Sequence, residues 1–537
     1  MTGFPDDIPA DLFTAFDRYE RAILSNDLDA LDAAFAPGDR TMRGDGAGLL
    51  VGHDAIHAFR SLRGGVPSRS IERIEYRPLA DGIALLVSVS RFHDGGTGLQ
   101  TQVWERHDDG WRITAAHVTP RPQAFDRTIW RVVGDPLAPA DAESGGAIAG
   151  LAVAVKDVFA VAGHPIGAGN PAFLAEARPE GADAAAVGAL RRAGAVVRGI
   201  ARTDEFAYSI AGDNVHTGTP PNGALPGALP GGSSSGPGSA VATGQADIGL
   251  ATDTAGSVRV PASYQGLWGI RTTHGLVPRD GMLPLAPSFD AVGYLTRDAE
   301  TLQRVVDAVL DTVLDTALDE GPVGDLPWRL LVADEALAAT EPETARAFEA
   351  LLVRLAASDD GPRLGRVAIG ELDEYAVPFR TVQGGEAWRS HGAWVTAHPA
   401  ALGDAVAARF AAASEVTAEA EAAARDDLAA LRERLHHLVR DAVLILPTVP
   451  GPAPARTVVG AAVDAGQADR IRSDTLRLTT PASVAGLPAI SIPLLTVDSP
   501  LGAAPVGVSL IGAPGSDRAL VRTARRLAAV ASPMDAP

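Results

Sequence analysis

The sequence predicts two folded parts, a small α+β domain followed by a larger α/β domain. Residues 1–122 show a helical apolar pattern and then a run of alternating strands, whereas residues 147–300 alternate short helices with apolar strands. The 537 residues suffice for roughly two to four domains of about 150 residues each. With 46% hydrophobic and 21% charged residues, the composition is that of a globular protein.

The N-terminal part, residues 1–122, begins with helices. Its apolar residues recur at helical spacing at Leu12, Phe13, Phe16, Tyr19 and Ile23. Residues 27–31 open a second short helix, and strands are predicted at 83–91, 99–106 and 111–118, with Gly-rich or Asp-rich turns between them. Helices followed by antiparallel strands favour a curved sheet wrapped around the helices.

The remainder divides into a linker and a larger domain. Residues 123–146 are rich in Pro, Asp, Gly and Ala and are interpreted as the linker, and residues 147–537 form the larger domain. Its predicted helices lie at 184–193, 239–244 and 418–439, and its predicted strands at 195–200, 248–252, 444–446 and 490–492. An acidic insertion spans 307–325.

Charge and composition exclude several classes of protein. A net charge of −20 argues against nucleic-acid and anionic-membrane surfaces, and no apolar run reaches the roughly 18 residues of a membrane span. The acidic N-terminus is unlike a signal peptide, so we expect a cytoplasmic protein. The absence of cysteine excludes disulfides, cysteine–zinc sites and thiol nucleophiles.

Lysine usage singles out one position. Lysine and arginine total 46, yet Lys156 is the only lysine. Arginine stays protonated in proteins, whereas a buried lysine can lose its proton and act as a base. Lys156 is therefore a candidate catalytic residue, with chance survival of one surface lysine as the alternative. Its position also excludes a Walker phosphate loop.

Three segments carry the chemistry. Residues 231–239 read GGSSSGPGS, a density of serine and glycine that permits unusual backbone shapes, including non-proline cis bonds. Residues 253–261 read DTAGSVRVP, where small residues leave backbone N–H groups uncovered beside a hydroxyl, as an oxyanion site requires. Residues 152–156 form an apolar strand ending in Lys156, where desolvation would lower the lysine pKa.

Together these segments resemble the amidase signature family, which includes bacterial amidases, amidotransferase A subunits and fatty acid amide hydrolases. Lys156 lies 77 residues before Ser233, and Ser233 lies 24 before Ser257, spacings that suit the family. The resemblance covers about residues 145–535 and implies an α/β amidase signature fold with a mixed central sheet flanked by helices.

The resemblance also implies residue roles. Ser257 is the expected nucleophile, Ser233 on a cis peptide the proton relay and Lys156 the base. The backbone N–H groups of Thr254, Ala255, Gly256 and Ser257 are the expected oxyanion hole. Two residues depart from the family pattern, Ala255 in place of glycine and Pro237 after the serines, and neither removes a catalytic side chain.

Substrate-binding residues are expected around this triad. We expect Tyr208, Ser234, Trp388 and His391 to contribute, with core packing as the alternative for Trp388. Asp204, Asp253 and Arg259 are interpreted as residues that fix loops rather than as acids or substrate ligands.

The N-terminal domain resembles a nuclear-transport-factor-like cone domain, of the subgroup encoded beside biuret and cyanuric acid degradation amidases. Tyr19 and Arg43 occupy the places of a tyrosine and an arginine that face the cone interior in that subgroup. Two interpretations stay open: a second small-molecule site at these residues, and a dimerisation and packing role. A homodimer is expected.

The function expected from the sequence is hydrolysis of a small amide, which could be urea-like or carboxylated, through a serine acyl-enzyme that releases ammonia or an amine. The alternative is an amidotransferase-type or partner-gated subunit that passes ammonia to another protein. Cofactors and metals are not expected. His53 and His57 have the spacing of metal ligands but no third ligand nearby. A nucleophile elbow at Ser234 lacks the strand that must precede it.

Overall fold

The computed structural model describes residues 5, 7–45, 48–62, 69–92, 97–119, 125–141, 145–314, 325–456 and 465–531. These residues form two compact units, Met1–Phe125 and Asp126–Pro537. Each unit has a sheet and a hydrophobic core of its own. The acidic insertion at 307–325 begins in a helix that ends at Leu314, and most of it lies outside the described residues.

The N-terminal unit packs helices against one sheet. Its described helices are α1 (Ala10–Ser25), α2 (Leu28–Ala33) and α3 (His53–Leu62). Its described strands are β1 (Met42–Asp45), β2 (Gly48–Val51), β3 (Arg69–Ala80), β4 (Ile83–Phe92), β5 (Thr97–His107) and β6 (Gly110–Thr119). The order is β2-β1-β6-β5-β4-β3, with β1 and β6 parallel and every other neighbouring pair antiparallel.

Helix α1 shows why the sequence pattern predicted this unit. Leu12, Phe16 and Tyr19 fall on one face and are buried. The helix ends at Asn26 in the left-handed region, and the Asp27 carboxylate then accepts the N–H of Ala30 to begin α2. The predicted helices and antiparallel strands of this domain are confirmed.

The larger unit is built on a mixed sheet of eleven described strands. They are β7 (Trp130–Ala138), β8 (Ala152–Lys156), β9 (Val196–Ala201), β10 (Ile248–Asp253), β11 (Trp268–Arg271), β12 (Ala291–Thr296), β13 (Arg329–Ala333), β14 (Arg363–Val367), β15 (Val443–Pro447), β16 (Ala489–Ser499) and β17 (Gly502–Ile511). Their order is β14-β13-β15-β17-β16-β11-β12-β10-β8-β9-β7, with β8 parallel to β9 and β10. The predicted mixed central sheet is confirmed.

Helices flank this sheet. They are α4 (Pro171–Glu176), α5 (Ala185–Arg192), α6 (Ser235–Ala242), α7 (Arg259–Tyr264), α8 (Ala299–Leu314), α9 (Asp334–Ala338), α10 (Pro342–Ala357), α11 (Leu372–Ala397), α12 (Asp404–Ser414), α13 (Ala418–Leu438), α14 (Ala465–Ala485) and α15 (Asp517–Ala531). A 3₁₀ turn lies at Glu205–Ala207. Within the described ranges, no helix combines the length and the apolar character that crossing a membrane requires.

The predicted linker contains an edge strand. Residues 130–138 form β7, which pairs antiparallel with β9, and Trp130 is buried with its indole N–H donating to Gln245 Oε1 at 2.7 Å. The interpretation of residues 123–146 as linker is therefore wrong for this stretch. Pro136 argued against a strand in the sequence, because proline lacks the backbone N–H that pairs neighbouring strands. Proline is tolerated chiefly at sheet edges such as this one.

The central strands bring the chemistry-bearing residues to one edge of the sheet. Strands β8 and β10 are buried on both faces and run parallel, with Val155 opposite Leu250. Because the carboxyl ends of parallel strands meet at the same edge, Lys156 at the end of β8 lies beside Thr252 at the end of β10.

Candidate active site

Lys156 is anchored by two hydroxyl groups. Its side chain is fully buried, and Nζ lies 2.7 Å from Thr252 Oγ1 and 2.8 Å from Ser233 Oγ. Burial lowers the pKa of Lys156 to about 7, although three buried carboxylates nearby act in the opposite direction. The amine therefore carries a proton in only part of the molecules at neutral pH.

Ser233 is presented by a glycine turn before helix α6. Gly231 has φ +75°, and the peptide bond from Gly232 to Ser233 is cis, as expected. The Asp204 carboxylate crosses this turn, accepting Ser235 Oγ–H at 2.9 Å and the N–H of Gly212 at 2.9 Å. A Cβ at position 232 would overlap that carboxylate, so the close approach requires glycine.

Ser257 lies in the nucleophile loop, residues 253–258, which the Asp253 carboxylate holds. The Asp253 carboxylate accepts hydrogen bonds from the backbone N–H groups of Gly256 at 2.9 Å and Val258 at 3.2 Å. It also accepts two hydrogen bonds from the Arg259 guanidinium, at 2.8 and 3.0 Å. Burial alone would raise the pKa of Asp253, but Arg259 and Arg271 hold it well below its ordinary value. The structure thus agrees with the loop-fixing role expected for Asp253 and Arg259.

The three predicted triad residues form one hydrogen-bonded chain. Ser257 Oγ lies 3.0 Å from Ser233 Oγ, which lies 2.8 Å from Lys156 Nζ. Ser233 is fully buried and Ser257 nearly so, at 3% exposure. A proton can therefore pass from Ser257 to Lys156 without entering bulk water.

The nucleophile loop offers backbone donors beside Ser257. The N–H groups of Thr254, Ala255 and Ser257 have no hydrogen-bond acceptor among the described residues. The Gly256 N–H instead donates to Asp253 Oδ1, so the prediction that Gly256 is an oxyanion donor is wrong. The carboxylate needed to shape the loop uses that donor.

A small cavity opens at Ser257. Its volume is only about 10 Å³, and it is bounded by residues 207–210, by the nucleophile loop and by Leu285, Gln383, Arg472 and Leu476. Tyr208 lines it as expected, and burial raises the pKa of that phenol. Sequence reasoning did not identify Gln383 and Arg472.

Comparison with known proteins now places this site in a family. The amidase family model matches residues 127–330 and 387–521, which include every triad residue, and a model described as AtzH-like matches residues 5–123. The chain belongs to the amidase family. It is a hydrolase of carbon–nitrogen amide bonds, with an AtzH-like domain at its N-terminus.

Several relatives of this amidase span most of its larger domain. Amidase 1 of Oryza sativa subsp. japonica is 33% identical over 404 residues, covering 70% of this chain and 90% of the relative. The 2-amino-5-chloromuconic acid deaminase of Comamonas testosteroni is 33% identical over 386 residues, covering 70% and 80%. One similar solved structure is an inhibitor-bound vestigial protein complex that reveals the evolutionary origins of an s-triazine catabolic enzyme. It is 28% identical with a TM-score of 0.62, and the match covers 72% of this chain and 85% of that chain.

Three of the expected substrate-binding residues of the amidase lie away from the cavity. Ser234 is fully buried, and its hydroxyl donates to the Thr252 carbonyl at 3.3 Å. His391 is 2.7 Å from the Pro284 carbonyl and packs on Phe206 at 5.0 Å between ring centroids. These contacts make Ser234 and His391 structural residues, which corrects the prediction.

Trp388 lies on helix α11 on a face that does not reach the cavity, which contradicts its expected role in substrate binding. It lies in a separate groove with Arg389 and Glu421, whereas Gln383 of the same helix reaches the cavity. At about 100° per residue, Trp388 lies about 140° around α11 from Gln383.

In the AtzH-like domain of the amidase, Tyr19 and Arg43 have different partners. Tyr19 accepts an N–H of Arg60 at 3.3 Å, whereas Arg43 pairs with Asp45 at 2.7 Å and stacks on Phe59. Their expected role as a second small-molecule site therefore stays a prediction.

Metal coordination has no support in the described residues. His53 and His57 both approach Asp32, at 3.2 Å to its carbonyl and 2.9 Å to its carboxylate. Across the described ranges, no group of three or more His, Cys, Asp or Glu side chains is arranged to hold a metal ion.

Proposed function

We propose that this amidase cleaves a small amide through an acyl-enzyme on Ser257, with Ser233 as the proton relay and Lys156 as the base. The observation that carries the proposal is the chain Ser257–Ser233–Lys156, at 3.0 and 2.8 Å, ending in a lysine whose pKa burial lowers to about 7. A base poised near the operating pH is the most effective for general base catalysis.

In the first half-reaction, Ser257 Oγ attacks the amide carbonyl carbon. Its proton moves to Ser233 Oγ as the proton of Ser233 moves to neutral Lys156 Nζ, and the hydroxyl hydrogens are free to rotate into this direction. The carbonyl oxygen gains the negative charge and accepts the N–H groups of Thr254, Ala255 and Ser257. Collapse of this intermediate breaks the C–N bond, and the proton returns by the same route to the leaving nitrogen.

In the second half-reaction, water takes the place of the amine. It attacks the ester carbonyl and gives up a proton through Ser233 to Lys156. The ester C–O bond then breaks, and Ser257 Oγ recovers the proton. The balance is amide plus water giving carboxylic acid plus ammonia or amine.

The cavity supports a small substrate. At about 10 Å³, it lies far below the usual range of about 300–1,000 Å³ for ligand pockets. One relative is named for a small unsaturated amino acid, 2-amino-5-chloromuconic acid. A short amide, urea-like or carboxylated, is the substrate class we propose for this chain. Transfer of ammonia to a partner protein is the alternative, while the homodimer and the cytoplasmic location stay predictions.

Labelling with an alkyl fluorophosphonate, followed by peptide mapping, tests the proposal. We expect one adduct, on Ser257, that disappears in Ser257→Ala and persists in Ser234→Ala. The labelled and unlabelled proteins are then compared for ammonia release from a panel of short amides. An adduct on Ser234, or turnover retained by Ser257→Ala, would contradict the assignment.

A further inference from the structure

The cavity at Ser257 has a cationic wall that the proposed chemistry does not use. Arg472 of helix α14 lines the cavity together with Ser257 and the polar side chain of Gln383. Burial lowers the pKa of Arg472 to about 10, so the guanidinium still carries its charge at neutral pH. A positive charge therefore faces the place where substrate must bind.

Arg472 has no hydrogen-bond or ion-pair partner among the residues that the structure describes. Its Nε is buried without a hydrogen-bond partner, and within the described residues the guanidinium forms neither a hydrogen bond nor an ion pair. Arg477, on the same helix, instead binds Asp373 with two N–H groups, at 2.8 Å each. A buried donor left without an acceptor destabilises the folded protein, and more so when it is charged.

The charged groups in the described part of the chain do not neutralise Arg472. Two further arginines, Arg409 and Arg380, act on it with the same sign, while the carboxylate of Asp469 acts with the opposite sign. Arg409 donates to the Tyr208 carbonyl at 2.9 Å, and Asp469 is exposed. The charge at this wall is thus left for a ligand to balance.

Helix α14 fixes this guanidinium relative to the reacting atoms. Arg472, Leu476 and Thr479 share a helix face, at spacings of four and three residues. Thr479 Oγ1 donates to the Ala255 carbonyl at 2.7 Å, within the nucleophile loop. Arg259 Nη1 donates to the Thr479 carbonyl at 2.8 Å. The helix is therefore held in register with the loop that carries Ser257.

Gln383 adds a second polar group to the cavity wall. Its side chain is 4% exposed and lines the same cavity, and it forms no hydrogen bond to a described residue. An amide offers both donors and an acceptor, so it can bind a carboxylate oxygen or the polar part of a short chain.

We infer that Arg472 is a specificity-determining residue that binds a carboxylate of the substrate, assisted by Gln383. The substrate is then a short amide that carries an anionic carboxylate within a few bonds of the scissile carbonyl. The planar guanidinium fork matches a carboxylate with two parallel hydrogen bonds. This inference rests on the proposed function, because it places the scissile amide at Ser257.

Protection of Ser257 from the uncharged alkyl fluorophosphonate tests the inference. Malonate and succinate serve as charged competitors, and malonamide and succinamide as their uncharged counterparts. We expect the dicarboxylates to slow labelling at concentrations about tenfold or more below those of the diamides, since hydrogen bonds to a charged group contribute about 1.5–3 kcal/mol.

Variants assign this protection to one side chain. Arg472→Met should raise the succinate concentration needed for half-protection by about tenfold to 100-fold. Arg472→Lys keeps the positive charge but loses the planar guanidinium, so its succinate concentration for half-protection should lie between those of the wild type and Arg472→Met. If Arg472→Met does not fold, Arg472→Lys provides the test. The matched control is Arg477→Met, which removes a surface-paired arginine from the same helix and should leave protection unchanged.

The outcomes separate the two proposals. Equal protection by dicarboxylates and diamides, or protection by succinate that survives in Arg472→Met and Arg472→Lys, would overturn the carboxylate site. If Ser257 is not labelled in the wild type, the proposed function fails. The site is then judged by the rise in unfolding temperature that succinate causes. A rise lost in Arg472→Met upholds carboxylate binding, and no rise in the wild type overturns it.

Discussion

Lys156 combines two properties that ordinary lysines lack. It is the only lysine among 537 residues, and its side chain is fully buried between the hydroxyls of Thr252 and Ser233. Burial lowers its pKa to about 7, so deprotonation produces the basic form within the physiological range. Rate should accordingly follow the titration of this one amine.

We expect kcat/KM for a short amide to rise with pH through an apparent pKa near 7 and to level off above it. The sign follows because the neutral amine accepts the proton, and the fraction of neutral amine grows as pH rises. Lys156→Arg should lose about 10²–10⁴ in rate at every pH, since guanidinium stays protonated. Steady-state ammonia release from pH 5.5 to 9 measures both.

Arg477→Lys is the control for that experiment. It exchanges the same two residue types at a surface position paired with Asp373, and its profile should match the wild type. A pH profile that falls across this range, or wild-type turnover by Lys156→Arg, would place the base at another residue.

At the scale of elements, the nucleophile loop depends on one carboxylate. Asp253 accepts hydrogen bonds from loop N–H groups and from Arg259, which is itself buried. Removing its charge leaves Arg259 and Arg271 as buried cations without their partner. Loss of one member of a buried pair typically costs about 3–5 kcal/mol.

We therefore expect Asp253→Asn to lower the free energy of unfolding by about 3–5 kcal/mol. It should also abolish labelling of Ser257 by the fluorophosphonate. Denaturation by urea measures the first effect. Asp373→Asn, which breaks the exposed pair with Arg477, should cost at most about 1 kcal/mol. Comparable losses in the two variants would mean that the nucleophile loop does not depend on this pair.

The elements also show what a sequence can predict here. The helices of the N-terminal domain and the alternation of helices and strands in the larger domain were predictable from local patterns such as the α1 periodicity and the short apolar strands. The triad and the mixed sheet were predicted from the resemblance of three segments to the amidase signature family. Gln383 and Arg472 were not, because they come together from α11 and α14, far apart in the chain. Strand β7 was not predicted, because a segment that contains Pro136 has the composition of a linker.

The whole molecule consists of two units, each with its own sheet and core. The three residues of the proposed triad and the cavity belong to the second unit, Asp126–Pro537. The chemistry on a simple amide should therefore depend on the first unit only weakly. Two interpretations of that first unit stay open from the sequence resemblance, a dimerisation and packing role and a second small-molecule site.

Deletion of residues 1–125 should change the number of chains per particle more than it changes kcat/KM on a short amide. Light scattering and steady-state ammonia release measure the two quantities on the same preparation. An unchanged particle mass would contradict the dimerisation role. Loss of turnover in a truncated protein that still unfolds cooperatively would show that the first unit contributes to the reaction.

Because the only lysine is buried, its chemical modification can also measure how often the core of this protein opens. An amine-reactive dye finds no exposed ε-amine on the folded chain, because Lys156 has no accessible surface. Modification at Lys156 requires the core around β8 and β10 to open first. The rate at which dye appears at that position then times the opening of the catalytic core, without any mutation or added probe residue.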